Sequence, residues 1–216
     1  MARARESGAQ KRARAARIVA GLKRLYPDAD CALRHTSALE LLVATILSAQ
    51  CTDERVNQVT AALFREHADA AAYASADSEA LERAIRPTGF FRNKARSLRS
   101  LGRDLVERHG GQVPDRLEDL VRLAGVGRKT ANVVLGTWFK KPAVFVDTHV
   151  IRLAGRLELS RHADPDRIET DLMELLPQKD WTFCAHALIW HGRRVCKARK
   201  PACDACGLRR DCPFPD

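Results

Sequence analysis

Leu120-Val121-Arg122-Leu123-Ala124-Gly125-Val126-Gly127-Arg128-Lys129-Thr130-Ala131-Asn132-Val133-Val134 is the stretch that decides the architecture of this 216-residue chain. An apolar helical pattern ends at Leu123, two glycines bracket Val126, and a second helical pattern begins at once. Gly125 and Gly127 permit a turn that other residues resist, and they let another backbone come close. The unpaired amides that open the second helix then face outward, and such amides bind phosphate. The pattern reads as a helix–hairpin–helix over 115–138 that grips the backbone of one DNA strand without reading its bases. The residues that would meet phosphate are Gly125, Val126, Gly127, Arg128 and Thr130. A nucleotide-binding P-loop is excluded, because it needs Gly-Lys-Thr after a strand, whereas here Arg128 intervenes after a helix.

Outward from the hairpin the pattern stays helical, and the fold class is all-α. Ile18, Val19, Leu22 and Leu25 share one face of a helix over 12–25. Ser37 and Glu40 make a capping signal for an apolar helix that runs through Leu47. Further helices are predicted at 53–66, 78–85, 92–108, 115–123, 128–138, 148–157, 166–175 and 180–195. Only Ala143–Val146 is strand-like, and four residues cannot found a sheet.

The formal net charge is +10, and it is concentrated at the two ends. Residues 1–24 carry eight basic side chains against Glu6, and residues 193–210 carry seven against Asp204. Two basic ends around a nearly neutral middle point to a polyanionic partner, nucleic acid above all. Residues 1–10 read as a solvated, disordered arm. The longest apolar run, Leu39 to Leu47, is too short to span a bilayer, and no secretory signal pattern opens the chain. The expectation is a cytoplasmic protein with reduced thiols and no membrane partner.

Four of the seven cysteines close the chain as Cys196-x6-Cys203-x2-Cys206-x5-Cys212. Thiolate is the ligand that soft metals and iron–sulfur clusters prefer. The segment holds Pro201, Gly207 and Pro213 and little apolar periodicity, so a covalent or metallic tie is expected to hold it. Structural zinc sites usually show two short Cys-x2-Cys knuckles, and here there is one. A [4Fe–4S] cluster is therefore favoured over zinc, and zinc over disulfides. Cys31, Cys51 and Cys184 read as free.

Lys129 lies in the first turn of the second hairpin helix, where a positive charge opposes the helix dipole and a neutral amine is favoured. A neutral lysine is a nucleophile able to form Schiff bases. Asp147, in Val144-Phe145-Val146-Asp147-Thr148-His149-Val150, follows an apolar stretch and opens a helix. It reads as an N-cap that could also take a proton or stabilise a sugar carrying positive charge. His35, His67, His109, His162, His186 and His191 form no metal-ligand pattern, and His149, two residues after Asp147, reads as a packing residue.

Taken together these residues resemble the endonuclease III family of DNA base-excision glycosylases, from about residue 12 to 214. The resemblance rests on Leu-Ser-Ala-Gln-x-Thr-Asp (47–53), the hairpin with Lys129, Val-Asp-Thr-His (146–149) and the cysteine spacing. It implies a two-lobed fold, with a helical barrel over 31–141. The other lobe joins 1–30 to 142–216 and holds an iron–sulfur loop at 196–212, the active site lying in the cleft between. It implies that Lys129 attacks the sugar C1′, displaces an oxidised pyrimidine from duplex DNA and, through the Schiff base, permits β-elimination on the 3′ side. Asp147 assists. By the same resemblance Gln50 fills the gap left by the flipped nucleotide, helped by the loop at 89–93 with Phe90. Ser48 and Asp53 shape the pocket nearby, and Lys197, Arg199 and Lys200 meet DNA phosphates. The expected protein is a nucleoid-associated monomer acting on damaged pyrimidines or abasic sites. The alternatives are a low-activity or monofunctional glycosylase, or a non-catalytic DNA-binding or redox-sensing module. Three positions depart from the family pattern: Ala124 stands where proline is usual, Phe90-Phe91 where an aliphatic–tyrosine pair is usual, and Cys51 where alanine is common.

Overall fold

The computed structural model describes residues 6–214. Among them there are eleven α-helices, three short 3₁₀ turns and no strand. The chain divides into two compact units, Cys31–Lys141 and the pair Met1–Asp30 with Pro142–Asp216. No helix among the described residues is long and apolar enough to cross a membrane.

The first unit contains α2 (Ala38–Leu47), α3 (Asp53–Glu66), α4 (Ala70–Ser75), α5 (Ser78–Ile85), α6 (Phe91–His109), α7 (Leu117–Leu120) and α8 (Arg128–Thr137). Most of their starts are set by short polar caps. Ser37, Thr52, Asp69 and Asp77 each accept a backbone N–H from the first turn that follows, which satisfies a donor the helix leaves unpaired. Helix α2 is buried from Leu41 to Leu47 and forms the centre of this unit. Helix α6 lies so close to α4 that a Cβ on Gly102 would stand 2.5 Å from the Ala74 nitrogen and 2.6 Å from the Ala70 oxygen. Backbone cannot yield as a side chain can. Gly102→Ala is therefore expected to destabilise the fold by roughly 1–3 kcal/mol, read as a lowered melting temperature.

The second unit contains α1 (Gly8–Leu25), α9 (Thr148–Arg156), α10 (Pro165–Leu175) and α11 (Trp181–Arg194), followed by the cysteine segment. Its core is built from Ile18, Leu22, Val150, Leu153, Ile168 and Leu188, all at most 1% exposed. Leu208, from within the cysteine segment, is buried in the same core. A Cβ on Gly21 would stand 2.6 Å from the Leu208 side chain, so α1 and this segment are in close contact there. Arg17 pairs with Asp211 at 2.7 Å, and Arg14 donates to the Leu157 carbonyl at 2.6 Å. Packing and ion pairing thus hold the segment.

Three expectations need correction. Helix α1 begins at Gly8, because Ser7 and Gln10 form a reciprocal capping box. Residues 6–10 are therefore not a disordered arm, and residues 1–5 lie outside the described residues. Helix α4 was not expected. The hairpin's first helix is only Leu117–Leu120, because i→i+3 bonds, Arg122 N–H to Asp119 and Leu123 N–H to Leu120, tighten the chain into turns beyond it. Residues 143–146 are buried and form no strand among the described residues, as expected for so short a run.

Candidate active site and cysteine centre

The hairpin turn is built as its sequence demands. Gly125 has φ +77°, and a Cβ there would stand 2.9 Å from the Ser97 side chain. Val126 is buried and anchors the tip, its N–H donating to the Leu123 carbonyl at 3.1 Å. Gly127 is the N-cap of α8 in extended conformation; no side chain caps this end, and a Cβ on Gly127 would face open space. Arg128 and Lys129 are exposed, and Thr130 is half-buried. The turn therefore presents an uncapped helix start, suited to an anion. Ala124 has an N–H that a proline would lack, and it donates that N–H to the Asp104 carboxylate at 3.2 Å.

Two further corners stand in left-handed conformations that ordinary residues rarely adopt. Gln50 has φ +54° and is exposed, just beyond the end of α2. Phe90 has φ +48° and is 61% exposed at the start of α6. Phe91 is half-buried, its ring near the guanidinium groups of Arg86 and Arg92. Ser48 ends α2 and donates its hydroxyl to the Thr45 carbonyl at 2.8 Å. Thr52, not Asp53, caps α3, and Asp53 sits in its first turn.

Asp147 caps α9. One carboxylate oxygen accepts the N–H groups of His149 and Val150 at 2.8 and 2.9 Å, and the side chain remains partly exposed. His149 is half-buried beside Gly192, and its Nδ1 lies 3.1 Å from Arg152. Burial lowers its proton affinity, an effect that the Asp147 carboxylate opposes.

All four C-terminal cysteines line one pocket, walled by Leu153, Leu157 and His191. None of the seven cysteines is in a disulfide. Burial pushes the Cys206 and Cys212 thiols up, and the neighbouring cysteines push in the same direction. Among the described residues, no three His, Cys, Asp or Glu side chains converge closely enough for one ion. Thiolates on a single zinc stand about 2.3 Å from it. Four thiols lining one pocket are a donor set that suits a soft metal or an iron–sulfur group. Lys197, Arg199 and Lys200 are exposed between the first two cysteines.

Several residues around this centre gave no sequence signal. Arg156 donates to the Cys196 sulfur at 3.2 Å and to the Lys197 and Ala198 carbonyls. Arg152, one turn earlier on α9, donates to the Cys196 and Gly192 carbonyls. His191 Nε2 lies 3.4 Å from the Cys206 sulfur, while its Nδ1 meets the Tyr26 hydroxyl at 2.8 Å. Burial pushes His191 down to about 4. Cys184, by contrast, is a core thiol that burial pushes up to about 12.

An all-α fold with this hairpin defines the class, a helix–hairpin–helix protein built to hold a DNA backbone. A family model described as HhH-GPD superfamily base excision DNA repair protein matches residues 43–178. Endonuclease III of Synechocystis sp. is 54% identical over 206 residues, covering 95% of this chain and 94% of that protein. A solved non-covalent endonuclease III–DNA complex superposes with a TM-score of 0.90 at 41% identity, covering 94% of this chain and 95% of that one. A trapped covalent endonuclease III–DNA intermediate matches with a TM-score of 0.90 at 40% identity, over the same shares of the two chains. The chain belongs to the HhH-GPD superfamily of base-excision DNA repair proteins, in its endonuclease III family.

Proposed function

We propose that this chain excises oxidised pyrimidines from duplex DNA and cuts the resulting abasic site through a Schiff base on Lys129. The observation that carries the proposal is the exposed Lys129 in the first turn of a helix whose start no side chain caps. Phosphates flanking the lesion would rest on the amides at the Gly125–Thr130 turn, which brings the lysine amine to the sugar. Its nitrogen attacks C1′, the C1′–N bond breaks, and the base leaves with the electron pair. The amine adduct then loses a proton and its C1′–O4′ bond breaks, O4′ taking up a proton, to leave a protonated imine. This acidifies the C2′ proton, whose removal expels the 3′ phosphate. Asp147 takes the proton from Lys129 or stabilises positive charge on the sugar. Because the target base is stacked, its nucleotide must leave the helix, and Gln50 and Phe90 would occupy and brace the gap. Ser48 and Asp53 would border the pocket.

The cavity cysteines Cys196, Cys203, Cys206 and Cys212 would hold a [4Fe–4S] cluster, which supplies structural support to the loop. Lys197, Arg199 and Lys200 on that loop would bind phosphate. The protein would work in the cytoplasm, on the nucleoid, as a monomer.

Asp147→Asn separates the two roles of this residue. Asparagine caps helices about as well as aspartate, so the melting temperature is expected to move by less than about 4 °C. Strand cutting in single turnover is expected to slow by about 10²-fold or more, with duplex binding nearly unchanged. Parallel losses of binding and rate would mark Asp147 as a cap alone.

A further inference from the structure

Lys94 lies on the first turns of α6 and is only 6% exposed, yet among the described residues no carboxylate pairs with it. Its ammonium donates to the Leu47 carbonyl at 2.9 Å and to the Thr88 carbonyl at 2.8 Å. Leu47 is the last residue of α2, three positions before Gln50. Thr88 is two positions before Phe90, and the Lys94 backbone N–H donates to the Phe90 carbonyl at 3.1 Å. One side chain therefore ties together the stems of the two left-handed corners. A buried charge is costly unless it is hydrogen-bonded, and a carbonyl at a helix end needs a donor. An aliphatic side chain would fill the same space but leave both carbonyls bare. A lysine here costs desolvation and returns a fixed distance between two corners.

We propose that Lys94 is a positioning residue for lesion recognition: its ammonium clasps the Leu47 and Thr88 carbonyls, so that Gln50 and Phe90 enter the duplex as one unit. This rests on the reading that those two side chains occupy the gap left by the flipped nucleotide. The Schiff-base chemistry at Lys129 does not pass through the clasp. Its loss should therefore show in duplex DNA, where a gap must be opened and held, and not in single-stranded DNA, where there is no stack to invade.

The test uses the full-length, cluster-loaded protein as native chain, Lys94→Met, Gln50→Ala and Phe90→Ala. The first measurement is the ratio of dissociation constants for an undamaged duplex and one carrying a tetrahydrofuran abasic analogue. The second is fluorescence of 2-aminopurine placed opposite the analogue, which rises when that base is unstacked. The third is cleavage of an abasic site in a single-stranded oligonucleotide. For Lys94→Met, discrimination between the duplexes is expected to fall about tenfold or more and the 2-aminopurine rise to shrink, with single-stranded cleavage within about twofold of native. Equal losses on single and double strands would mean a merely structural lysine and overturn the inference. So would intact discrimination in Lys94→Met beside lost discrimination in Gln50→Ala and Phe90→Ala. Intact discrimination in those last two variants would instead overturn the reading beneath it, and the clasp's role with it. Should Lys94→Met not fold, Lys94→Gln, whose shorter amide reaches one carbonyl at most, carries the same comparison and the same outcomes.

Discussion

Replacing Lys129 by alanine is expected to lower strand cutting at an abasic site by at least about 10³-fold, because the amine that forms the covalent bond is gone. Binding to the same duplex should fall far less. Lys129 contributes one charge to a contact spread over the hairpin amides and several exposed basic side chains, and each phosphate contact is one increment among many. Stability should hardly change, since Lys129 is exposed in the first turn of α8. Alanine is also the best helix former. Single-turnover cutting, fluorescence anisotropy and a thermal melt check the three statements. A loss of binding as large as the loss of cutting would reduce Lys129 to a phosphate ligand.

The second large effect is expected at the cysteine cavity. In Cys206→Ala one of the four thiols that line the cavity is lost, along with the contact to His191 Nε2. If these thiols hold an iron–sulfur cluster, its binding energy is folding energy for the segment. The expected result is loss of visible absorbance from the purified protein and destabilisation of roughly 5 kcal/mol or more. Trypsin should then cut readily at Lys197 and Arg199, which are exposed. The packing of Leu208 against α1 and the Arg17–Asp211 pair give the segment some order without the cluster. They do not replace four ligands. Unchanged stability and colour in Cys206→Ala would remove this cysteine from the proposed set.

Much of this architecture is legible in the sequence because helix starts are chemical events. The predicted starts at 53, 78, 128 and 148 are the observed first residues of α3, α5, α8 and α9. At three of them a short polar side chain precedes the first turn and accepts its amides. The misses have physical causes too. Ala70–Ser75 has no apolar periodicity to detect, and only its Asp69 cap marked it. Ser7 and Gln10 form a capping box within a basic stretch whose charge pointed toward disorder. The short α7 shows tight i→i+3 turns taking over where periodicity predicted continued helix.

The candidate site was legible where spacing carries the chemistry, as in the cysteines, the glycine turn and Lys129. It was not legible where the partners are main-chain atoms far away in sequence. Lys94 reaches Leu47, and Arg152 and Arg156 reach the chain around Cys196. No periodicity records such bonds, because a carbonyl is present at every position. His191 was passed over because it lies outside any metal-ligand spacing, yet α11 brings it beside Cys206.

The most direct test of the central claim is borohydride trapping on duplex DNA carrying thymine glycol, with native protein and Lys129→Ala side by side. The account predicts a covalent protein–DNA adduct with the native chain and none with the variant. An adduct that survives Lys129→Ala, or no adduct from folded, cluster-loaded native protein on this lesion or on an abasic site, would contradict it.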